Sequence, residues 1–330
     1  LRPDINTIAI QGLGGEGHVV SKTQLEIRRL RDTPSEILRG TVIEDRILTA
    51  EEGPYRVEGE WIIPAGRTLT IESGTTLNFS AGAHLQVIGT LIAEGRKHDH
   101  IRFAADAESW RGVRFESSTT SRLEHTQIVG TAGDAIAISL VDAFVHLESL
   151  DFRQVKGASL HLERSAIELI DSVLPDFTGK PQFVSQGEWL AGFPIVIEGN
   201  IFGAEFEALT FIQVDQPAQD RIIEVRSNHF PATIGAALSI PGRVFIDGNQ
   251  FEFTSTALSL TDSEAVISRN RFEGTDLILA VRGGSTIRFE HNAAQQAGVL
   301  VNPQDGLNIH VANNVFAQTE IDSELDQTHN

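Results

Sequence analysis

The chain has 330 residues, with 45 Asp and Glu against 26 Lys and Arg, so its formal net charge is −19. This acidity argues against nucleic acids and anionic membrane surfaces as partners, because both are bound by clustered Lys and Arg. There is no Cys, which excludes disulfides and thiolate metal sites. The apolar runs are too short to insert into a bilayer. We expect a self-repelling acidic surface, with bound calcium as the alternative explanation of the charge.

The first 39 residues differ in sequence pattern from the rest of the chain. Residues 6–11 are typical of a strand, and residues 24–28 alternate polar and apolar side chains, so two strands are predicted. The glycine-rich segment 12–17 between them is followed by β-prone residues, so it predicts a turn and not a phosphate-binding loop. Residues 33–38 begin with N-capping residue types and predict a first helical turn. We therefore predict that residues 1–39 form an N-terminal β segment or cap.

Residue 40 begins a domain that we expect to run to residue 330. Its apolar segments are three to five residues long, as at 61–63, 69–71 and 76–79, and Gly, Pro, Ser or Asn separates them. Turn chemistry such as Pro64-Ala65-Gly66 recurs between these segments. The pattern predicts many short strands.

A phrase of Asn, any residue and then Phe recurs in the second half of the chain. It begins at Asn200, Asn228, Asn249, Asn270 and Asn314, with a degenerate copy at Asn292, and the spacings are 28, 21, 21, 22 and 22 residues. A period in the low twenties predicts a solenoid, in which each coil stacks on the next. Thr126, Leu150 and Asp171 are predicted to hold the equivalent position in earlier coils.

The asparagine position is predicted to be structural. Asn tolerates the left-handed backbone conformation that a tight corner needs. Stacked amides can hydrogen-bond from coil to coil, and the Phe two residues later is expected to point inward and stack on its neighbours. We therefore assign the six asparagines to a structural ladder and not to ligand binding.

The phrase Trp110-Arg111-Gly112-Val113-Arg114-Phe115 and the strand–turn succession over 61–93 resemble repeats of right-handed parallel β-helix proteins of the pectin-lyase-like kind. Such repeats occur as modules of large secreted bacterial multidomain proteins. The resemblance covers roughly residues 40–330 and implies an all-β parallel β-helix of about 11 coils with three short strands each. The opening stretch resembles the closing strands of jelly-roll modules, which implies a remnant of an upstream domain. Together with the absence of Met, this predicts a monomeric module of a longer, secreted or cell-surface protein.

Two long intervals interrupt the period, and insertions in a solenoid map to loops on one face. The excess lies in residues 174–193 and 203–221, which we expect to stand side by side as the wall of a groove for a linear polymer. Candidate substrate-binding residues are Trp189, Lys180, Asp176 and Glu205, and candidate catalytic carboxylates are Glu188, Asp215 and Asp220. The alternative is that Trp189 packs its loop onto the shaft and that the acids are solvated. No metal site is predicted from these residues.

The catalytic phrases of polygalacturonase-like and pectate-lyase-like β-helix enzymes do not occur in the sequence. The favoured function is therefore a non-catalytic extracellular module that acts as a spacer or as a platform for a polysaccharide or cell-surface glycan. The alternative is a polysaccharide lyase or glycoside hydrolase that acts in the groove beside the two insertions, because fold alone does not decide activity.

Overall fold

The chain from residue 34 onward winds into a parallel β-helix of about 12 turns, close to the predicted number. A computed structural model describes residues 5–13, 15, 19–28, 34–174, 181–203, 210–216, 218–301, 308–320 and 326–328. Each coil contributes one strand to each of three parallel sheets, and no helix occurs among these residues. The predicted fold class is confirmed. The helical turn predicted at 33–38 is wrong, because Glu36–Thr41 is a strand paired with Tyr55–Ile63 in the next coil.

The first two strands of the shaft are long enough to run through two sheets. They are Glu36–Thr41 and Tyr55–Ile63, and both contribute to sheets 1 and 2. Sheet 1 continues with Thr76–Phe79, Ile101–Ala105, Thr126–Val129, Asp151–Arg153, Val173–Leu174, Ile201–Phe202, His229–Phe230, Gln250–Glu252, Arg271–Glu273, Ala293–Gln295 and Val315–Ala317. Sheet 2 continues with His84–Val87, Val113–Glu116, Ile138–Val141, Leu160–Glu163, Phe183–Gln186, Ile212–Val214, Thr233–Ser239, Thr254–Thr261, Leu277–Arg282 and Val299–Val301.

Sheet 3 is separate from the other two and closes each coil. Its strands are Arg46–Leu48, Thr68–Glu72, Thr90–Glu94, Ser121–Glu124, Phe144–Glu148, Ala166–Ile170, Ile195–Glu198, Ala218–Arg226, Gly242–Asp247, Glu264–Ser268, Thr286–Glu290, Asn308–Ala312 and Asp326–Thr328. Ahead of the shaft, Ile5–Leu13 and Val19–Arg28 form a two-stranded antiparallel sheet, at the place where the sequence predicts two strands.

Alternation within each strand builds the core. In Ile195–Glu198 the residues alternate between buried and half-buried, as expected for a strand with one face in the core. The inward positions stack along the shaft, so Phe202, Phe230, Phe251 and Phe272 lie in consecutive coils with ring centroids 4.8, 5.0 and 5.0 Å apart. Phe79 and Trp110 stack at 4.0 Å nearer the N-terminal end. The interior is therefore one continuous apolar column.

The corner between sheets 3 and 1 carries the asparagine ladder. The backbone N–H of Asn228 donates to the side-chain oxygen of Asn249 at 2.9 Å, and the amide of Asn228 donates to the carbonyl of Ile197 at 2.8 Å. The same pattern repeats at each coil through Asn314. Each amide is buried. The side chains therefore satisfy backbone groups that the corner would otherwise leave unpaired in the core.

Two details of this corner differ from the sequence-based expectation. The left-handed residue is the one before each asparagine, such as Gly199 at φ 70° and Arg269 at φ 55°. The residue equivalent to Asn200 is Ser172 and not Asp171, because Val173 pairs with Ile201. The Oγ of Ser172 accepts the backbone N–H of Leu150 at 3.0 Å and extends the ladder by one coil. A slip of one residue in a strand exchanges its inner and outer faces, which is why the register matters here.

Candidate functional site

Each of the two insertions contains a strand of sheet 2, and its remaining residues lie at the corners before and after that strand. In the first insertion, Phe183–Gln186 is a sheet 2 strand, and residues 187–194 connect it to sheet 3. In the second, Ile212–Val214 is the equivalent strand, and the chain then enters Ala218–Arg226. Lys180, Asp176 and Glu205 lie outside the described residues. So does the side chain of Asp220, whose backbone belongs to the strand Ala218–Arg226.

The described parts of both insertions meet at the corner between sheets 2 and 3. Trp189 is half-buried against the core, and its ring N–H donates to the carbonyl of Gln216 at 3.4 Å. Glu188 and Asp215 are exposed, and the Oδ1 of Asp215 accepts a hydrogen bond from Gln213 at 2.9 Å. Trp189 thus joins the two loops, while each of the two carboxylates faces solvent.

Residues 187–194 form a segment, here called the covering loop, that folds over the outer face of sheet 3. Phe193 stacks on Phe144 with ring centroids 4.7 Å apart. Ala166, which lies beside Phe144 in register and opposite the inward Ile167, is nevertheless completely buried. Arg221 from the next coil donates to the carbonyl of Phe193. An outward position of the solenoid is therefore covered by the chain itself.

A shallow depression runs along sheet 3 from the end of the covering loop. We call it the sheet 3 trough and define it by Phe193, Ile222, Glu224, Arg243, Phe245 and Glu264. Its first part encloses about 400 Å³ and its second part about 280 Å³, and the two share Ile222, Glu224 and Arg243. Ile222 is 46% exposed although it is a large apolar residue. The trough therefore offers apolar surface to solvent, with charged side chains among it.

The charges of the trough are arranged in pairs. Arg243 lies 3.0 Å from Glu264 in the next coil. Arg226, at the side of the trough, lies 3.1 Å from Glu224 and 3.0 Å from Glu198. Since all of these side chains are partly exposed, each pair contributes little to stability, and its atoms stay accessible to a ligand.

A second polar cluster occupies sheet 3 on the other side of the covering loop. The two ring nitrogens of His146 lie 2.8 Å from Glu168 and 3.2 Å from Glu148. Burial by itself lowers the pKa of His146, but the hydrogen bonds to Glu168 and Glu148 outweigh it, so the pKa lies above its ordinary value. Arg122 lies beside His146 in register and is paired with Glu94. This cluster is a network of exposed and half-exposed charges and not a cavity.

The trough is not among the sites predicted from the sequence. One feature of the sequence indicates it, the run Val244-Phe245-Ile246. These three consecutive apolar residues lie in a strand whose alternate residues are buried. Only two of the three can face the core, so the third, Phe245, had to face outward. No group of three His, Cys, Asp or Glu side chains that could hold a metal occurs in the described part of the chain. Calcium as the partner of the acidic surface stays a prediction.

No protein-family model matches the sequence. One curated protein, named Protein bark beetle, from Drosophila melanogaster, is 36% identical over 62 residues, which is 19% of this chain and 2% of that protein. This chain therefore matches only a small part of that relative. Among the described residues, no helix has the length and apolar character needed to cross a membrane.

The solved structures that have a similar chain path include an epimerase module, a phage tailspike protein and a surface adhesin. The mannuronan C-5 epimerase A-module of Azotobacter vinelandii has a TM-score of 0.39 at 13% identity, covering 84% of this chain and 91% of that one. Tailspike protein 3 of bacteriophage CBA120 has a TM-score of 0.35 at 13% identity, covering 89% and 54%. A surface adhesin of Streptococcus pneumoniae has a TM-score of 0.28 at 9% identity, covering 81% and 85%.

The chain is a parallel β-helix. Its own strand register shows this directly, since 13 strands of sheet 3 follow one another in parallel, coil after coil. The similar structures are too distant in sequence and in superposition to carry an argument about what this chain binds or does. The candidate sites of this chain are the trough and the corner loops.

Proposed function

We propose that this chain is a non-catalytic extracellular β-helix module that binds a polysaccharide in the sheet 3 trough. The observation that carries the proposal is the direction of the trough. Glu224 pairs in register with Phe245 in the next coil, and Arg243 pairs with Glu264. The trough therefore follows the axis of the shaft, and the three intervals of ~4.8 Å between its four coils give it a length of roughly 15 Å. A linear polymer fits this shape.

The chemistry of the lining supports a sugar as the ligand. The outward faces of Phe245 and Ile222 provide an apolar surface against which the C–H face of a sugar ring can pack. Glu224 and Glu264 accept hydrogen bonds from hydroxyls, and the Arg243 guanidinium donates to hydroxyl oxygens. The trough thus combines three apolar and three charged side chains, which provide a packing surface and hydrogen-bond partners for the same ligand.

Binding is tested by titrating the chain with soluble polysaccharides in a calorimeter and comparing Phe245→Ala with the unchanged chain. We expect Phe245→Ala to weaken binding about tenfold, since the apolar platform is lost. The matched control is Phe253→Ala, which removes a Phe that is 62% exposed at a corner away from the trough. Equal binding by all three proteins would contradict the trough as the site.

An enzyme is the alternative, favoured by one observation. Glu188 and Asp215 are both exposed at the same corner, in neighbouring coils. In that case the chain is a polysaccharide lyase or glycoside hydrolase, with these carboxylates as acid and base. Incubation with polysaccharides and assay for reducing ends or unsaturated products decides between the two. Turnover that is lost in Glu188→Gln or Asp215→Asn would overturn the non-catalytic proposal.

Trp189 is expected to hold the two loops together. Its ring N–H donates to the carbonyl of Gln216, and its ring packs on the core. Trp189→Ala is then expected to loosen the covering loop and to weaken binding indirectly.

The location outside the cell is a prediction from the sequence resemblance.

A further inference from the structure

Two of the three guanidinium groups at or beside the trough are paired with carboxylates of the protein itself. Arg243 is paired with Glu264, and Arg226 is paired with both Glu224 and Glu198. Arg221 gives one of its donors to the carbonyl of Phe193. Three guanidinium groups thus stand beside three carboxylates, and their formal charges cancel.

An anionic polymer would meet two electrostatic penalties at this surface. A carboxylate bound to Arg243 would lie close to Glu264, which is 3.0 Å from the Nε of Arg243 and whose side chain is 65% exposed. The Debye length in physiological salt is about 8 Å, so Glu224 and Glu264 act on any charge bound within the trough. The chain as a whole carries a net charge of −19 and repels anions at longer range in dilute salt.

A neutral sugar avoids both penalties. A hydroxyl group both donates and accepts hydrogen bonds, so it can bridge a guanidinium and a carboxylate without breaking the pair between them. Like-charge contacts across an interface suppress the wrong partner, and a neutral ligand makes none. The paired charges therefore favour hydroxyls over carboxylates.

We infer that the sheet 3 trough selects neutral polysaccharides and rejects polyuronates. This inference rests on the proposed function and specifies the class of its ligand. It also predicts that affinity depends little on salt, because no net charge is neutralised when the ligand binds.

The test uses two polymers that differ in one group. Polygalacturonate and its carboxyl-reduced neutral product have the same linkages, so the comparison isolates the carboxylate. We expect calorimetry on the full chain to give at least tenfold tighter binding of the neutral polymer. We expect its affinity to change by less than about twofold between 20 and 300 mM NaCl.

A charge variant makes the test sharper. Glu264→Gln frees Arg243 from its partner and gives the trough one net positive charge. We expect this variant to bind polygalacturonate severalfold more tightly than the unchanged chain at low salt, with the gain lost at high salt. The control is Glu273→Gln on sheet 1, where Glu273 lies 2.6 Å from Arg271. It changes the net charge equally and is expected to produce no gain.

The outcomes separate the inference from the proposed function. If the unchanged chain binds polygalacturonate as well as or better than the neutral polymer, and Phe245→Ala weakens that binding, the trough binds sugars and only the preference for neutral ones is wrong. If neither polymer binds, or if Phe245→Ala changes nothing, the proposed function fails and the inference fails with it.

Discussion

The two corners that flank sheet 3 are built in opposite ways. At the corner leading into sheet 1, the buried side chains of Asn200 to Asn314 repeat the same hydrogen bonds from coil to coil. At the corner leading in from sheet 2, the loops differ in length, and the covering loop returns over the sheet to place Phe193 on Phe144. The first corner faces the core and the second faces solvent.

This difference shows where a solenoid can vary. A buried corner must satisfy its backbone N–H and carbonyl groups in every coil, so it admits few solutions, and the same residue recurs. A solvent-facing corner has no such requirement, since water satisfies its polar groups, and it can accept insertions. Stability is expected to depend on the first corner, whereas the second corner contributes Phe193 to one end of the sheet 3 trough.

The largest expected effect is that of removing a ring from the core stack beside the asparagine corner. Phe251 is completely buried between Phe230 and Phe272, at 5.0 Å from each. Phe251→Ala leaves a cavity that flanking coils cannot fill and is expected to lower the free energy of unfolding by about 3–5 kcal/mol. Chemical denaturation measures this loss. A loss below about 1 kcal/mol would show that the stack is not needed for stability.

The next effect is that of breaking the ladder itself. Asn249→Ala removes the acceptor of the Asn228 N–H and the donor to the carbonyl of Val225. We expect a loss of roughly 1–3 kcal/mol in the free energy of unfolding, because buried polar groups are left unpaired. Asn308→Ala, at an exposed position of sheet 3, is the matched control. Equal melting temperatures for the two variants would contradict a stabilising ladder.

A smaller and local effect is expected at the outer corner. Phe193→Ala removes the stack on Phe144, the residue that lies beside the buried Ala166 in register. We expect faster hydrogen exchange over residues 187–194 with little change in global unfolding, because the loop lies outside the core. A large drop in global stability would instead make the covering loop part of the cooperative core, and the contrast between the two corners would disappear.

The smallest expected effect is a pH dependence from His146. Its pKa is raised by hydrogen bonds to Glu168 and Glu148, which outweigh the lowering by burial. The stabilisation is therefore complete below the pKa of the unfolded chain and is lost as pH rises through the higher folded value. Melting temperature between pH 6 and 8 should fall less steeply in His146→Gln than in the unchanged chain. Parallel curves would show that the cluster does not couple to folding.

Much of the shaft could be predicted from the sequence because its constraints are local and repeated. The spacing of Asn249 and Asn270 gives the length of a coil, and the alternation in a strand such as Glu264–Ser268 gives its inner face. The position of Ser172 could not be read in this way, since it has neither the Asn nor the Phe. Its register came from pairing with the next coil.

The sequence placed some candidate residues near one another. Trp189, Glu188 and Asp215 all lie at one corner, and the roles assigned to them stay predictions. The trough itself was missed, because Arg243 and Glu264 are 21 residues apart in sequence and become neighbours only through the register of adjacent coils.

The sequence by itself determined the period, the inward residues and the asparagine corner, since burial in a stacked coil imposes the same requirement on every repeat. Only the tertiary structure decided how the outer surface is arranged. It stacked Phe193 of the covering loop on Phe144 of sheet 3 and paired Arg243 with Glu264 in the trough. These contacts depend on the path of the loops and on the register of the strands. Solvent-exposed residues carry no repeating pattern from which either could be predicted.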